Sequence, residues 1–357
     1  MANFRNVYGM VEEADLLQTG FMVSRPNDPI EGLFTDQQTD HLVATWYTIA
    51  SEYQIPQMAQ FHAFDTIAQK SERAPIDEHN VEKGLIKVKR NTSELLRQLI
   101  GKGVNVESQL YDYVMDDAAS LADQVVTRAK VARAELLATG QVTIKENNLD
   151  VTVDYNVPAA HKGLSFDLGA GATDDILTQI QAIIDLATAS GVTINGMVAP
   201  RSVLSKLRSN SAVQTAINGN VGAGAMVRNA ALTAFLQEEY GIEQVIADDL
   251  TYALPYTTRS SNRPSVTTKR YFPANKVTFF GTSNGMRLGA GLWGVPPEVE
   301  IARFADVSGS TISPYVYLTQ WAETDPAVVW TKASALYMPV LFNPNALYIA
   351  SVTETSA

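Results

Sequence analysis

At 357 residues, 46% hydrophobic and 18% charged, the chain has the composition of a globular protein with room for about two domains at ~150 residues each. No apolar run reaches the ~20 residues of a membrane helix, and no apolar stretch with a small-residue cleavage site follows Met1-Ala2-Asn3-Phe4-Arg5, so folding in the cytoplasm is expected. The lack of cysteine removes disulfides, thiolate metal sites and thiol nucleophiles, and a net charge of −11 argues against gripping nucleic acid through basic patches.

Met1 to Tyr53 mixes short apolar groups with turn signals such as Arg25-Pro26-Asn27-Asp28-Pro29. It reads as an extended arm with a short helix near Asp40 to Tyr53, whose Trp46 and Tyr47 need a surface elsewhere in the fold or on a neighbour. A hairpin-like ribbon is expected next. One leg lies near Met58 to Gln69, the other near Gly84 to Arg90, where Ile86 and Val88 alternate with Lys87 and Lys89, and the polar tip runs from Ser71 to His79. An isolated two-stranded ribbon is marginal in water, so the reading is an arm that lies on another protein, with a mobile surface loop as the alternative. The basic row Lys87, Lys89 and Arg90 then suits the acidic face of another copy. Asn91 and Glu94 are spaced like a capping box for a short helix over Thr92 to Ile100.

From Asn105 to Thr139, Val106, Leu110, Val114, Ala118, Leu121, Val125, Ala132 and Leu136 recur at helical spacing. A helix of that length is roughly 50 Å long, a spar rather than an ordinary globular helix. Asn105 suits the N-cap and Gly140 the C′ position, with Glu107, Asp112, Asp116 and Asp117 at the front and Arg128, Lys130 and Arg133 at the rear. Gln141 to Tyr155 alternates about Asn147-Asn148, a hairpin signal. A helix capped by Thr173 carries Ile176, Ile180, Ile183, Ile184 and Ala187 on one face, and a buried strand at Val192 to Ala199, a helix from Pro200, a helix over Met226 to Tyr240 and a strand at Gln244 to Ala247 complete an α/β block. Thr251 to Pro273, with Arg259, Arg263, Lys269 and Arg270, reads as a hydrophilic loop or ribbon that touches DNA or an acidic neighbour, or is simply solvated. Strands are expected at Lys276 to Phe280, Glu298 to Arg303, Tyr315 to Trp321, Val328 to Lys332, Leu336 to Leu341 and Ala346 to Val352, some returning to pair with the hairpin.

Motifs that would carry chemistry are weak. Gly289-Ala290-Gly291-Leu292-Trp293-Gly294 matches the dinucleotide fingerprint in letters, but Val295-Pro296-Pro297 denies it the helix that would face a pyrophosphate, leaving a turn against Trp293. Gly219 to Gly224 lacks the Gly-Lys-Ser/Thr ending of a phosphate loop. His41, His62, His79 and His161 stand far apart, and the pairs Asp116-Asp117, Asp174-Asp175, Glu238-Glu239 and Asp248-Asp249 suit helix starts and solvated faces better than acid–base work. The chain is read as non-enzymatic, with no cofactor, metal or catalytic residue.

The order arm, ribbon, spar helix, hairpin, α/β block and late strands resembles tailed-phage major capsid proteins of the Hong Kong 97-type fold, and within it the lambda-type capsid protein E family. The resemblance is carried by Lys87-Val88-Lys89-Arg90 leading to Thr92-Ser93-Glu94-Leu95-Leu96, by Leu136-Leu137-Ala138-Thr139-Gly140-Gln141-Val142-Thr143-Ile144, by Gly196-Met197-Val198-Ala199-Pro200-Arg201-Ser202-Val203-Leu204, and by Glu323-Thr324-Asp325-Pro326 through Met338-Pro339-Val340-Leu341. It implies an α+β fold with an N-terminal arm over residues 1–56, an E-loop and flanking segment over 57–103, a peripheral domain with spine helix and hairpin over 104–162, an axial domain over 163–307 and returning peripheral strands over 308–357. It also implies a self-assembling subunit of an icosahedral head around double-stranded DNA, built as hexamers and pentamers, with scaffold, portal and decoration proteins as further partners. Arg73, Lys87, Lys89, Arg90, Arg259 and Arg263 are the candidate intersubunit contacts. The competing readings are an encapsulin-like nanocompartment shell and a nucleotide-binding α/β enzyme.

Overall fold

The computed structural model describes residues 28–49, 58–59, 61, 76–92, 106–169, 175–219, 224–254, 267–282, 287–301, 308–312, 315–325 and 327–354. Strands β1 (Phe34–Gln38), β2 (Val43–Ile49), β3 (Ile76–Glu82) and β4 (Gly84–Thr92) precede the long helix α1 (Val106–Thr139). The hairpin β5 (Gln141–Glu146) and β6 (Leu149–Asp154) follows, then β7 (Lys162–Asp167), α2 (Ile176–Ala189), β8 (Gly196–Ala199), α3 (Arg201–Ser209), α4 (Ser211–Asn218), α5 (Asn229–Tyr240) and β9 (Gln244–Ala247). The chain continues through β10 (Thr251–Ala253), β11 (Thr268–Arg270), β12 (Lys276–Phe280), β13 (Gly289–Gly294), α6 (Glu298–Ile301), β14 (Ser308–Ile312), β15 (Val316–Thr324), β16 (Ala327–Leu341) and β17 (Leu347–Thr353).

Helix α1 is as long as its periodicity requires, and the expected stripe members Ala118, Leu121, Val125, Ala132 and Leu136 are buried. Alanines at 118, 122, 129 and 132 let the helix lie close to the sheet beneath it. Its last turns are enclosed more fully: Ala134, Leu137 and Ala138 are buried too, and the Thr278 hydroxyl of β12 donates to the Leu137 carbonyl at 2.8 Å. The helix therefore ties two sheets together. Gly140 ends it with φ +72, a left-handed conformation glycine adopts without strain, and its N–H donates to Leu136 O at 2.8 Å. The expected cationic rear is employed otherwise. Arg133 is buried, Arg128 pairs with Glu146 of β5 at 3.1 Å, and the final turn holds no basic residue.

The first sheet is organised by β16. Its residues 327–334 pair with β15 and its residues 336–341 with β13, both antiparallel, while β4 pairs along residues 329–337. Because β4 overlaps both partners, β13 and β15 share one edge of β16 end to end and β4 takes the other. Pro339, which has no N–H to give, sits beyond the last residue paired with β4. Strand β14 flanks β15, and β1 flanks β13 in parallel. The second sheet has the order β7-β17-β12-β8-β9, with α2, α3, α4 and α5 in the same block. The β5–β6 hairpin turns on Asn147 and Asn148, both at positive φ (49 and 66), as a tight two-residue turn requires.

Several expectations are corrected. Residues 43–49 form a strand, not a helix, because the run Val-Ala-Thr-Trp-Tyr-Thr-Ile alternates a buried face against β3. The ribbon's legs are thus β2 and β3, and Gly84 to Arg90 belongs to the first sheet; the expected leg at 58–69, the tip before residue 76 and the helix beyond residue 92 fall almost wholly outside the described residues. Glu298–Ile301 is a short helix, opened by Pro296 and Pro297, whose carbonyls accept from Val299 and Glu300 at 3.1 and 3.2 Å. The strands expected at 328–332 and 336–341 are one strand of 15 residues. Gly289–Gly294 is an interior strand rather than a turn. The β5–β6 hairpin pairs with no returning strand among the described residues. Strand β13 lies in the first sheet and β17 in the second.

Candidate assembly interface

The β2–β3 ribbon has two unlike faces because side chains alternate along a strand. Ala44, Trp46 and Thr48 face inward and are buried. Trp46 stacks on His79 with ring centres 5.3 Å apart and lies 5.7 Å from Tyr155, while the Thr48 hydroxyl is 2.8 Å from His79 Nε2. Tyr155 in turn donates to the Pro339 carbonyl at 2.5 Å. The outward face is different: Val43, Tyr47 and Ile76 are 42%, 62% and 66% exposed, beside exposed Glu78 and Glu82. Trp46 therefore docks within its own chain, and Tyr47 does not.

Lys83 closes the ribbon's base. Its buried ammonium donates to the carbonyls of His41 (2.7 Å), Thr39 (3.2 Å) and Trp293 (3.4 Å) and to the Thr39 hydroxyl. Burial pushes the Lys83 pKa down while Asp40 pulls it up. The arm is thus more self-sufficient than its polarity suggests: its inner face and base are satisfied by the chain's own body.

A buried polar cluster fixes β1, α1, β13 and β16 around that base. Asp36 pairs with Arg133 and accepts from the Trp293 indole at 2.8 Å, and Arg133 Nε donates to the Tyr337 hydroxyl at 2.6 Å. Burial works against the Arg133 charge, but Tyr337 and Asp36 outweigh it and raise the pKa; burial likewise pushes the Tyr337 hydroxyl well up. Gly291 makes room for this cluster, since a Cβ there would stand 2.5 Å from Asp36 Oδ1 and 2.7 Å from Arg133 Nη2. The glycines of the apparent dinucleotide motif thus serve close packing inside a sheet, with no helix N-terminus to receive a phosphate.

Of the candidate contacts, Arg73, Arg259 and Arg263 lie outside the described residues. Lys87 and Lys89 are exposed on β4, where Lys89 Nζ stands 4.2 Å from the Trp330 ring centre. Arg90, on the opposite face, pairs with Asp117 of α1 at 2.5 Å, so its charge is answered within the chain. The row that looked uniform is split by strand alternation. Farther on, β10 and β11 form the base of the basic ribbon, where Arg270 and Arg201 reach Asp249 at 2.8 and 3.6 Å. Sequence reasoning missed Lys83, whose partners are distant carbonyls, and the Trp321–Trp330 pair (6.2 Å, 18° between planes), which the register Trp321↔Trp330 would have revealed once β15 and β16 were aligned.

The described residues bring no catalytic group together. His161 is buried against Tyr348 at 4.1 Å between ring centres, and burial lowers its pKa. Asp248 is buried, which raises its pKa, and accepts from the Leu250 N–H at 2.9 Å. Among the described residues no three His, Asp or Glu side chains gather as metal ligands.

What remains is a body with a clamped ribbon, an outward apolar and acidic ribbon face, and a basic, aromatic sheet face. The family model for phage major capsid protein E matches residues 44–352. The chain belongs to the phage major capsid protein E family. A putative capsid protein of an Escherichia coli CFT073 prophage is similar in structure, with a TM-score of 0.54 at 14% identity, covering 98% of this chain and 99% of that one. A phage-related protein from Bordetella bronchiseptica RB50 gives 0.52 at 11% identity, over 95% and 96% of the two chains. No curated protein matches the chain. The fold is α+β of the Hong Kong 97-type, and the protein is a structural subunit of a phage capsid. As a phage major capsid protein it self-associates into a capsid lattice and resides in the virion. The family match favours this over the nanocompartment and nucleotide-binding readings.

Proposed function

We propose that the chain builds an icosahedral head of hexamers and pentamers around double-stranded DNA. The observation that carries this reading is the outward ribbon face: Val43, Tyr47 and Ile76 form an apolar row that the chain's own body leaves exposed, on a ribbon whose other face is firmly clamped. A surface of that kind is covered by a neighbour in a closed assembly. In this reading the first sheet with α1 is the peripheral domain, the second sheet with α2, α3, α4 and α5 is the axial domain, β2 and β3 are the base of the E-loop, and residues up to about 40 are the N-terminal arm. Strand β13 goes with the peripheral domain and β17 with the axial domain. Lys87, Lys89, Arg73, Arg259 and Arg263 contact neighbouring subunits, and Arg90 contributes through its hold on α1. Assembly takes place in the host cytoplasm, aided by scaffold and portal proteins and followed by decoration. The acidic chain lies near packaged DNA without reading its sequence, as like charge keeps the polymer from adhering.

Size-exclusion chromatography followed by negative-stain electron microscopy tests the reading. Closed shells of uniform diameter are expected from the purified chain, alone or with its scaffold. A chain that stays monomeric with its scaffold at any concentration would overturn it.

A further inference from the structure

The second sheet ends on β7, whose outer edge pairs with no strand among the described residues. A vacant edge is a template for another chain, because its backbone N–H and C=O groups await a partner. The opposite edge strand, β9, is blunted by being only four residues long, whereas β7 has six. The first half of β7 is irregular: Ile349 pairs with Lys162 and Ala350 with Leu164, so Gly163, at φ +79, is the extra residue of a bulge. Its second half is treated otherwise. The Leu168 N–H turns inward and donates to Thr353 O beside β17 at 3.0 Å, which leaves the N–H and C=O of Asp167 on the outer edge. There the Gln179 side chain of α2 meets both: its Oε1 accepts from the Asp167 N–H at 2.7 Å, and its Nε2 donates to Asp167 O at 3.2 Å.

That two-point contact is the one a neighbouring strand would make, exchanging both backbone bonds with a single residue. Helix α2 is already held to the fold by its buried apolar face, Ile176, Ile180, Ile183 and Ala187, so it does not need the amide for that purpose. Asp167 Oδ1 accepts from the Gly169 N–H at 2.9 Å and turns the chain out of the strand. Ser165, two residues back, is exposed and presents its backbone to the same edge. Beside it a groove of about 320 Å³ opens between Leu164 and Ser165 of β7 and Thr178, Ala182 and Ile183 of α2, so an added strand would find space for its side chains. We infer that Gln179 occupies the place of a sixth strand and keeps the second sheet of one copy from pairing edge to edge with that of another. This guard acts on the free subunit, whether or not shells close.

Gln179→Met in the full chain keeps the length of the side chain and removes both bonds. In sedimentation velocity the unassembled variant is expected to self-associate at least about tenfold more tightly than the parent, a change of ~1.4 kcal/mol, into oligomers that bind thioflavin T. Adding Ser165→Lys puts a charge on the bared edge and is expected to return association to the parent's level without raising the melting temperature. A Gln179→Met subunit that associates no more tightly than the parent would overturn the guard. So would a double variant that associates as readily as the single one, since Gln179 would then only brace α2. Amide hydrogen exchange in the parent needs no variant: the Asp167 N–H is expected to exchange more slowly than the Ser165 N–H, and equal rates would overturn the guard by themselves.

Discussion

The two faces of the first sheet handle charge in opposite ways. On the side that carries α1, Arg133 is enclosed with Asp36, Tyr337 and Trp293, and Arg90 is matched to Asp117. On the other side Lys87 and Lys89 stand in solvent beside a tryptophan. Burial forces the first arrangement, since an ion taken out of water must be paired and hydrogen-bonded within the chain. Exposure permits the second, and the charge there remains available to another copy. The same contrast runs through the ribbon, whose inner face is anchored by Trp46 and Lys83 and whose outer face is not covered. One side of the strands holds the subunit together, and the other leaves its charge and apolar groups exposed.

Substitutions on the inner side should therefore cost subunit stability. Arg133→Met, which leaves Asp36 and the Tyr337 hydroxyl without their partner, is expected to lose about 3–5 kcal/mol in denaturant unfolding of the unassembled subunit. Trp46→Ala empties the contact between ribbon and Tyr155 and should lose about 3 kcal/mol, with faster proteolysis in the ribbon. Lys83→Met strands the Thr39 and His41 carbonyls and is expected to lose about 2 kcal/mol. Arg90→Ala, at a partly exposed pair, should change subunit stability by less than about 1 kcal/mol. The smallest effect is a pH dependence. Because burial depresses the His161 pKa, the unfolded chain binds the extra proton first, so its contribution is complete above the usual histidine value of about 6.5 and is lost as pH falls through the lower folded value. His161→Phe keeps the ring against Tyr348 and should flatten that part of the stability profile, whose slope cannot exceed about 1.4 kcal/mol per pH unit for one proton.

Periodicity made much of this architecture legible. The spar helix, the Asn147-Asn148 hairpin, helices α2, α3 and α5 and strands β8, β9, β12 and β17 follow from spacing and turn chemistry that act over a few residues, whereas β7 and α4 were not expected. The ribbon legs were harder, because Val43 to Ile49 is apolar on both faces, one face serving the core and the other lying exposed, which blurs the alternation of an ordinary strand. Gly291 looks like a phosphate motif until Asp36 and Arg133, more than 150 positions away, are seen to fill the space beside it. The break expected between Lys332 and Leu336 is absent, since β4 pairs without interruption along residues 329–337 of β16. For the contact candidates, sequence identified the basic row on β4 but not its division between two faces. That division depends on which side α1 covers.

A cryo-electron-microscopy reconstruction of assembled shells measures the central claim most directly. The account predicts density in which Val43, Tyr47 and Ile76 of each subunit are covered by a neighbouring copy, while Arg133 keeps its partners inside one chain. Shells in which those ribbon residues remain in solvent would contradict it.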